Sequence, residues 1–114
     1  MADCLFCSII DGRIKGEIVY QDDAVLAFKD IRPEAPVHVL IVPRKHIESV
    51  SSLQSEDLPV IGAVFSAAAK LAKDLGIAES GYRVVVNNGA AAGQSVFHLH
   101  YHLLGGRPMR WPPG

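Results

Sequence analysis

The segment VFHLHYHLLGG, residues 96–106, constrains the fold more than any other part of the chain. It places histidines at His98, His100 and His102, with one large apolar or aromatic residue between neighbours. Because successive side chains of a strand point to opposite faces, this alternation predicts a strand over residues 96–104 with the three imidazoles on one face. The residues of the other face, which we expect to pack in the core, are Phe97, Leu99, Tyr101 and Leu103.

Two chemistries use imidazoles arranged in this way. A His-x-His pair can give two nitrogens to a metal ion that keeps an open position for water. Alternatively, one imidazole attacks an electrophilic phosphorus while its neighbours donate protons. The preceding loop, NNGAAAGQS, offers small residues, main-chain N–H groups and the side chains of Asn87 and Ser95. Alone, this loop is typical of an ordinary connection between strands. Next to three imidazoles it favours attack of a histidine on phosphorus.

Size and charge exclude several classes of protein. The chain has 114 residues and 49% hydrophobic residues, which suits one compact domain over residues 1–114. Eleven basic and twelve acidic residues give a net charge of -1, so binding to a nucleic-acid polymer is not expected. No apolar run approaches a membrane span and the N-terminus MADCLFCSII lacks the features of a secretion signal, which predicts a soluble cytoplasmic protein.

The remaining elements follow from the spacing of apolar residues. Residues 18–20 and 25–28 read as a hairpin around Gln21-Asp22-Asp23, and VHVLIVP reads as a buried third strand whose one polar residue is His38. From Ser55 the apolar residues recur at three- and four-residue steps, which predicts a long helix ending near Gly76. GYRVVVNNG reads as a fourth strand. The order β-β-β-α-β-β indicates an α+β fold with an antiparallel sheet.

These motifs together resemble a known family. The run from His98 to Leu104 matches the H-φ-H-φ-H-φ-φ signature of the histidine-triad (HIT) superfamily, where φ is apolar. FKDIRPEAPVHVLIVPRKHI, GYRVVVNNG, GQSVFHLHYHLLGGRPM and the ending WPPG are similar to its nucleoside-phosphoramidase branch, the histidine-triad nucleotide-binding proteins. The likeness extends over nearly the whole chain in the same order.

The resemblance implies a fold and an activity. It implies a homodimer in which each subunit has five antiparallel strands and two helices, with the sheets joined across the two-fold axis. It also implies hydrolysis of purine nucleoside 5'-phosphoramidates and related aminoacyl-adenylates, releasing a nucleoside monophosphate such as AMP and an amine, with no cofactor required for catalysis. A different class of function stays open, in which the chain is a purine-nucleotide-binding regulatory module with incidental hydrolysis.

The resemblance also assigns roles to residues. Within the triad of His98, His100 and His102, it makes His100 the nucleophile that forms a covalent nucleotidyl-histidine. His102 contacts phosphate and protonates the leaving amine, and His38 is a fourth active-site histidine. The substrate-binding residues that it implies are Leu5, Phe6, Ile9, Ile14, Phe28 and Ile31 for the base, Asp30 for the ribose, Asn87, Gly93, Gln94 and Ser95 for the phosphate, and Trp111 for the site of the partner subunit.

The two cysteines, Cys4 and Cys7, form a Cys-x-x-Cys pair that is too closely spaced to staple a secreted fold. From the residues alone, metal binding, redox chemistry and simple packing stay open. The pair is similar to zinc-bearing relatives elsewhere in the superfamily, whose other ligands match His46 and His98. That likeness implies a structural zinc ion, and two reduced packing cysteines are the alternative.

Overall fold

The computed structural model of the protein describes residues 4–114. Met1, Ala2 and Asp3 lie outside the described residues, and the expectation that no secretion signal is present rests partly on them. Within the described part of the chain, no helix combines the length and the apolar character needed to cross a bilayer.

Five strands form one antiparallel sheet in the order β1-β2-β3-β5-β4, and two α-helices accompany it. The predicted α+β fold with a five-stranded antiparallel sheet and two helices is therefore confirmed. The elements are α1 Leu5–Ile10, β1 Ile18–Gln21, β2 Val25–Lys29, β3 Val37–Pro43, α2 Leu58–Asp74, β4 Tyr82–Val86 and β5 Tyr101–Gly105. Three 3-10 turns lie at Val50–Ser52, Ser55–Asp57 and Ala90–Ala92.

The sheet carries a separate core on each face. On one face, α2 packs its buried residues, among them Val64 and Leu71, against alternate residues of the strands, such as Val39 and Leu103. On the other face, α1 packs Phe6 and Ile9 on a smaller cluster, whose strand residues are Leu26, Phe28, Leu40 and Val42. The alternation of strand side chains thus separates a structural face under α2 from a face under α1. His38 and His102 belong to the second face, because they share the alternation of Leu40 and Val42.

The strand predicted over residues 96–104 is shorter and later than expected. Strand β5 begins only at Tyr101, and residues 96–100 have no regular ladder. The physical reason is that Pro43 ends β3 without an N–H group, and its carbonyl oxygen is bound by the ring of His98 at 2.8 Å. The expectation that Phe97 faces the core is wrong, because its side chain is 45% exposed, while Leu99, Tyr101 and Leu103 are buried as predicted.

The helical predictions differ from the structure at their ends. The long helix begins at Leu58 rather than Ser55, because Ser55–Asp57 form a 3-10 turn that Asp57 caps by accepting from the Gln54 main-chain N–H. It ends at Asp74, and Gly76 follows with a φ of 75°, as its glycine predicted. The residue pattern missed α1, which the resemblance implied. A helix of six residues is too short to display a period.

Candidate active site

The ring of His100 is held by a main-chain oxygen. Its Nδ1 lies 2.8 Å from the carbonyl oxygen of His98, and the residue is buried. Since a carbonyl oxygen only accepts, Nδ1 carries the hydrogen and Nε2 keeps its lone pair. His100 lines the pocket beside α1, so in the uncharged ring Nε2 is the nitrogen that offers a lone pair at the cavity wall.

His102 and His38 form a hydrogen-bonded pair next to it. The main-chain N–H of Glu34 donates to Nδ1 of His38 at 3.0 Å, and Nε2 of His38 lies 2.9 Å from Nδ1 of His102. Because Nδ1 of His38 accepts, its hydrogen sits on Nε2 and is donated to His102. This leaves the hydrogen of His102 on its Nε2. The Asp30 carboxylate lies 3.4 Å from His38 Nε2 and faces the same pair.

Burial keeps these rings neutral. Burial, together with the neighbouring rings of His100 and His38, lowers the pKa of His102 from 6.5 to about 4. Burial also lowers the pKa of His38, against the opposing effect of Asp30 and Glu34. At neutral pH both rings are therefore uncharged, which is the protonation state that the hydrogen-bond chain requires.

A cavity of about 280 Å³ opens beside these rings. His100 and His102 lie on its wall, and Asp30 and Ser95 contribute polar groups. The structure also brings together in this cavity all the apolar side chains for which the resemblance implied base contacts: Leu5, Phe6, Ile9, Ile14, Phe28 and Ile31. Ile31 is 93% exposed, so it forms part of the rim rather than the floor.

Other sequence-predicted residues do not line this cavity. Asn87 and Gly93 are neighbours in the loop before β5, where a side chain added to Gly93 would meet the Asn87 amide at 3.8 Å. The hydrogen bonds of the buried Gln94 side chain all go to main-chain groups. Its Nε2 donates to the carbonyl oxygens of Glu48 and Val96, and its Oε1 accepts from the N–H of Gly89.

Trp111 lies away from the cavity of its own chain. Its side chain is 82% exposed, and the guanidinium of Arg83 lies 6.0 Å from the ring centroid. Nothing within the described chain holds this ring against a nucleotide pocket.

His98 belongs to a second cluster, with Cys4, Cys7 and His46. The four donor atoms all lie within 4.8 Å of one another. Nδ1 of His98 lies 3.4 Å from Sγ of Cys4 and 3.5 Å from Sγ of Cys7, and Nδ1 of His46 lies 3.4 Å from Sγ of Cys7. Tetrahedral zinc with Zn–S of about 2.3 Å and Zn–N of about 2.0 Å separates a sulfur from a nitrogen ligand by about 3.5 Å. The donor set therefore fits zinc.

The environment of this cluster also suits a cation. The Nε2 hydrogen of His98 goes to the carbonyl oxygen of Pro43, so the lone pair on Nδ1 faces the sulfurs. Burial lowers the pKa of His98, which keeps the ring neutral. Burial raises the pKa of the Cys7 thiol, and the adjacent Cys4 raises it further. A thiolate at Cys7 thus calls for a positive ion beside it.

Sequence reasoning missed the groups that set the tautomers. These are the N–H of Glu34 and the carbonyl oxygens of Pro43 and His98, and a main-chain group carries no residue signature. It also missed Lys15 and Lys29, which line the outer part of the cavity and have no pattern in the sequence that marks them.

Comparison with known proteins identifies close relatives. A family model described as the HIT domain matches residues 11–109. An uncharacterized HIT-like protein of Synechocystis is 51% identical over 112 residues, which cover 98% of this chain and 97% of that protein. The purine nucleoside phosphoramidase of Escherichia coli K12 is 47% identical over 107 residues, which cover 94% of this chain and 90% of that enzyme.

Solved structures give the same result. The crystal structure of a HIT family hydrolase from Legionella pneumophila superimposes with a TM-score of 0.96 at 47% identity, covering 98% of this chain and 100% of that one. A HIT family hydrolase from Clostridium thermocellum superimposes with a TM-score of 0.94 at 51% identity, covering 96% of each chain.

Proposed function

The chain belongs to the HIT domain family, and on that premise we propose that it hydrolyses purine nucleoside 5'-phosphoramidates and related aminoacyl-adenylates through a nucleotidyl-His100 intermediate. Similar structures named HIT family hydrolases support a hydrolase, and the name of the Escherichia coli relative supports the substrate class. The observation that carries the proposal is the 2.8 Å contact of His100 Nδ1 with the His98 carbonyl oxygen, which leaves Nε2 as a nucleophile.

For a phosphoramidate substrate, the proposed reaction has two displacements at phosphorus. In the first, the Nε2 lone pair of His100 attacks, the P–N bond breaks, and its electron pair leaves with the amine nitrogen, which takes up one proton. In the second, a water molecule attacks the nucleotidyl-His100, the ring regains its lone pair, and the proton of the water replaces the one that the amine took. The sum is water plus phosphoramidate giving nucleoside monophosphate and amine.

We assign the proton of the leaving amine to Nε2 of His102. With a pKa of about 4 this ring is neutral in the free protein at pH 7. A bound anionic phosphate next to it raises that pKa, because a negative charge favours the protonated ring. The ring then holds the extra proton in the complex, where the leaving nitrogen needs it, and recovers it from the attacking water.

The pocket supports a purine nucleotide as the ligand. The apolar wall formed by Phe6, Ile9 and Phe28 suits the faces of a planar base, and the Asp30 carboxylate at its edge can accept from ribose hydroxyls. Asn87, Gly93, Gln94 and Ser95 stay our predicted phosphate contacts. We extend the proposal to one HIT domain over residues 1–114, a homodimer, and a contribution of Trp111 to the partner's site.

The decisive experiment is mass spectrometry of protein quenched within one turnover of adenosine 5'-phosphoramidate. We expect an adenylyl adduct on His100 in the wild type, and loss of both adduct and turnover in His100→Ala. Full turnover in His100→Ala would reject the covalent route. Tight nucleotide binding by a wild type without turnover would instead favour the regulatory binding module.

We further infer that Cys4, Cys7, His46 and His98 hold a structural zinc ion. Zinc with four protein ligands keeps no open position for water, so it supplies folding free energy rather than a reactive hydroxide. Elemental analysis of purified protein should find one zinc ion per chain and much less in Cys7→Ser. An equal metal content in both proteins would contradict the assignment.

A further inference from the structure

We infer that the cysteine–histidine cluster positions the nucleophile, His100. This cluster consists of Cys4, Cys7, His46 and His98, and His98 contacts both the cysteines and His100. The ring nitrogen of His98 faces the cysteine sulfurs, and its carbonyl oxygen accepts from Nδ1 of His100. The inference rests on the proposed role of His100. In this arrangement Cys4, Cys7 and His46 are positioning residues, since none of them lines the cavity beside His100.

The main chain at His98 has little other support. Residues 96–100 precede β5 and belong to no ladder, so strand pairing does not fix the His98 carbonyl. Three contacts, instead of a ladder, hold the main chain at His98. The ring donates to the Pro43 carbonyl at 2.8 Å, the N–H of Leu99 donates to the Ile47 carbonyl at 2.6 Å, and the other ring nitrogen faces the sulfurs.

These contacts depend on the cluster. Ile47 directly follows His46, so the segment that receives the Leu99 N–H is itself attached to one of the four donor residues. The His98 side chain is fully buried, so a change at its Nδ1 cannot be relieved by turning the ring into water. A displaced His98 ring therefore moves its own main chain and the oxygen that fixes the His100 tautomer.

Helix α1 provides a second connection. The Phe6 ring packs edge-on against both His98 and His100, with centroid distances of 6.1 and 5.1 Å. Its neighbour Cys7 is in the cluster, and Cys4 caps the helix by accepting from the Cys7 N–H at 3.4 Å. A helix of six residues has little stability of its own. Attachment of its cysteines therefore also holds the Phe6 ring against the nucleophile.

The test uses the nitrogen chemical shifts of the His100 ring in protein labelled at histidine, which report the tautomer directly. In zinc-loaded wild type we expect the Nδ1–H tautomer alone. In Cys7→Ser we expect a mixture of the two tautomers, and a single-turnover rate of nucleotidyl-adduct formation that is lower by about tenfold. The matched control is Val64→Ala, which opens a cavity on the α2 face and does not touch the cluster. It should keep both the tautomer and the rate.

If Cys7→Ser does not fold, chelation of the wild type at a temperature where circular dichroism is unchanged gives the same comparison, with zinc added back to restore both readouts. Metal loss with an unchanged tautomer and rate overturns the inference. A wild-type protein that neither contains zinc nor takes it up also overturns the inference. Complete loss of activity with an unchanged tautomer also overturns it, because the metal would then act on the substrate. A tautomer shift in protein that never forms an adduct overturns the proposed function and leaves the positioning role standing.

Discussion

Single hydrogen bonds to the main chain decide what each histidine can do. One carbonyl oxygen fixes the hydrogen of His100 on Nδ1, and another fixes the hydrogen of His98 on Nε2. The N–H of Glu34 donates to Nδ1 of His38 and so fixes the hydrogen of that ring on Nε2. The same residue type therefore provides a nucleophile, a metal-facing lone pair and a proton relay within one small region.

The sequence could identify the residues at this scale but not these states. The amino-acid sequence shows the alternation of His98, His100 and His102, and it shows the Cys-x-x-Cys pair. That His98 faces the cysteines while His100 faces the cavity depends on where β5 begins, which is set by contacts with residues about fifty positions away. Periodicity cannot encode such a contact.

Replacement of His102 should change how stability depends on pH. Burial lowers the pKa of His102 to about 4, whereas an unfolded histidine titrates near 6.5. Below pH 6.5 the unfolded chain thus binds a proton that the folded chain does not, and stability is lost as the pH falls towards 4. The contribution of this ring to that loss is about 3 kcal/mol.

Glutamine does not titrate, so His102→Gln should lose less stability than wild type between pH 7.5 and 4.5. Urea unfolding at several pH values measures this difference. The groups that face the ring, His38, His100 and Asp30, are the same in both proteins. Parallel stability curves for the two proteins would show that His102 is not the group responsible.

At the scale of elements, segments with a clear apolar pattern could be predicted from the sequence. Short segments whose structure depends on contacts with distant residues could not. Helix α2 carries its period and strands β1 to β4 carry their apolar runs in their own residues, so their existence follows from local sequence. The late start of β5 and the short helix α1 depend instead on Pro43, on the cluster at Cys4 and Cys7, and on packing under the sheet. The loops beside the site hold together through a buried side chain, Gln94.

Gln94→Leu should destabilise the protein by about 3 kcal/mol, because it leaves buried main-chain groups without partners. Those groups are the N–H of Gly89 and the carbonyl oxygens of Glu48 and Val96. Equilibrium unfolding in urea measures the loss. The matched control is Gln21→Leu on β1, an exposed glutamine that bonds only to Arg44 among the described contacts and should change stability by less than about 0.5 kcal/mol. Equal effects of the two substitutions would contradict the role of Gln94.

The end of β5 has a tight contact that only a glycine permits. A Cβ at Gly105 would lie 2.6 Å from Cδ1 of Ile77 and 3.0 Å from its Cβ. We expect Gly105→Ala to cost about 2 kcal/mol through overpacking. In an Ile77→Ala background the same substitution should cost clearly less, because the crowding atoms are gone. A double-mutant cycle by thermal unfolding measures this coupling, and additive effects would place the strain elsewhere.

At the scale of the whole molecule, β4 forms an edge of the sheet and the C-terminal segment lies against it. In the part of the chain that the structure describes, strand β4 pairs only with β5, and Tyr82 and Val86 on it are more than one third exposed. Trp111 lies nearby, beside Arg83 of the same strand. An exposed edge with aromatic and β-branched side chains favours association, which agrees with the homodimer that the resemblance implies.

A mixed dimer can test whether Trp111 acts across such an interface. If Trp111 reaches the partner's site, Trp111→Ala should raise KM for adenosine 5'-phosphoramidate by about tenfold, which corresponds to about 1.4 kcal/mol of binding. Its melting temperature should hardly change, because the side chain is 82% exposed. His100→Ala subunits are inactive on their own in our proposal.

In a dimer of one His100→Ala and one Trp111→Ala subunit, one site regains both functional side chains, because the nucleophile comes from one chain and the tryptophan from the other. The two variants are mixed, and native mass spectrometry follows the exchange of subunits and gives the fraction of mixed dimers. We therefore expect wild-type KM in one of the two sites of each mixed dimer. A tryptophan that serves its own chain predicts no restoration, since each subunit would keep its own defect. A monomer at micromolar concentration would exclude any action across subunits.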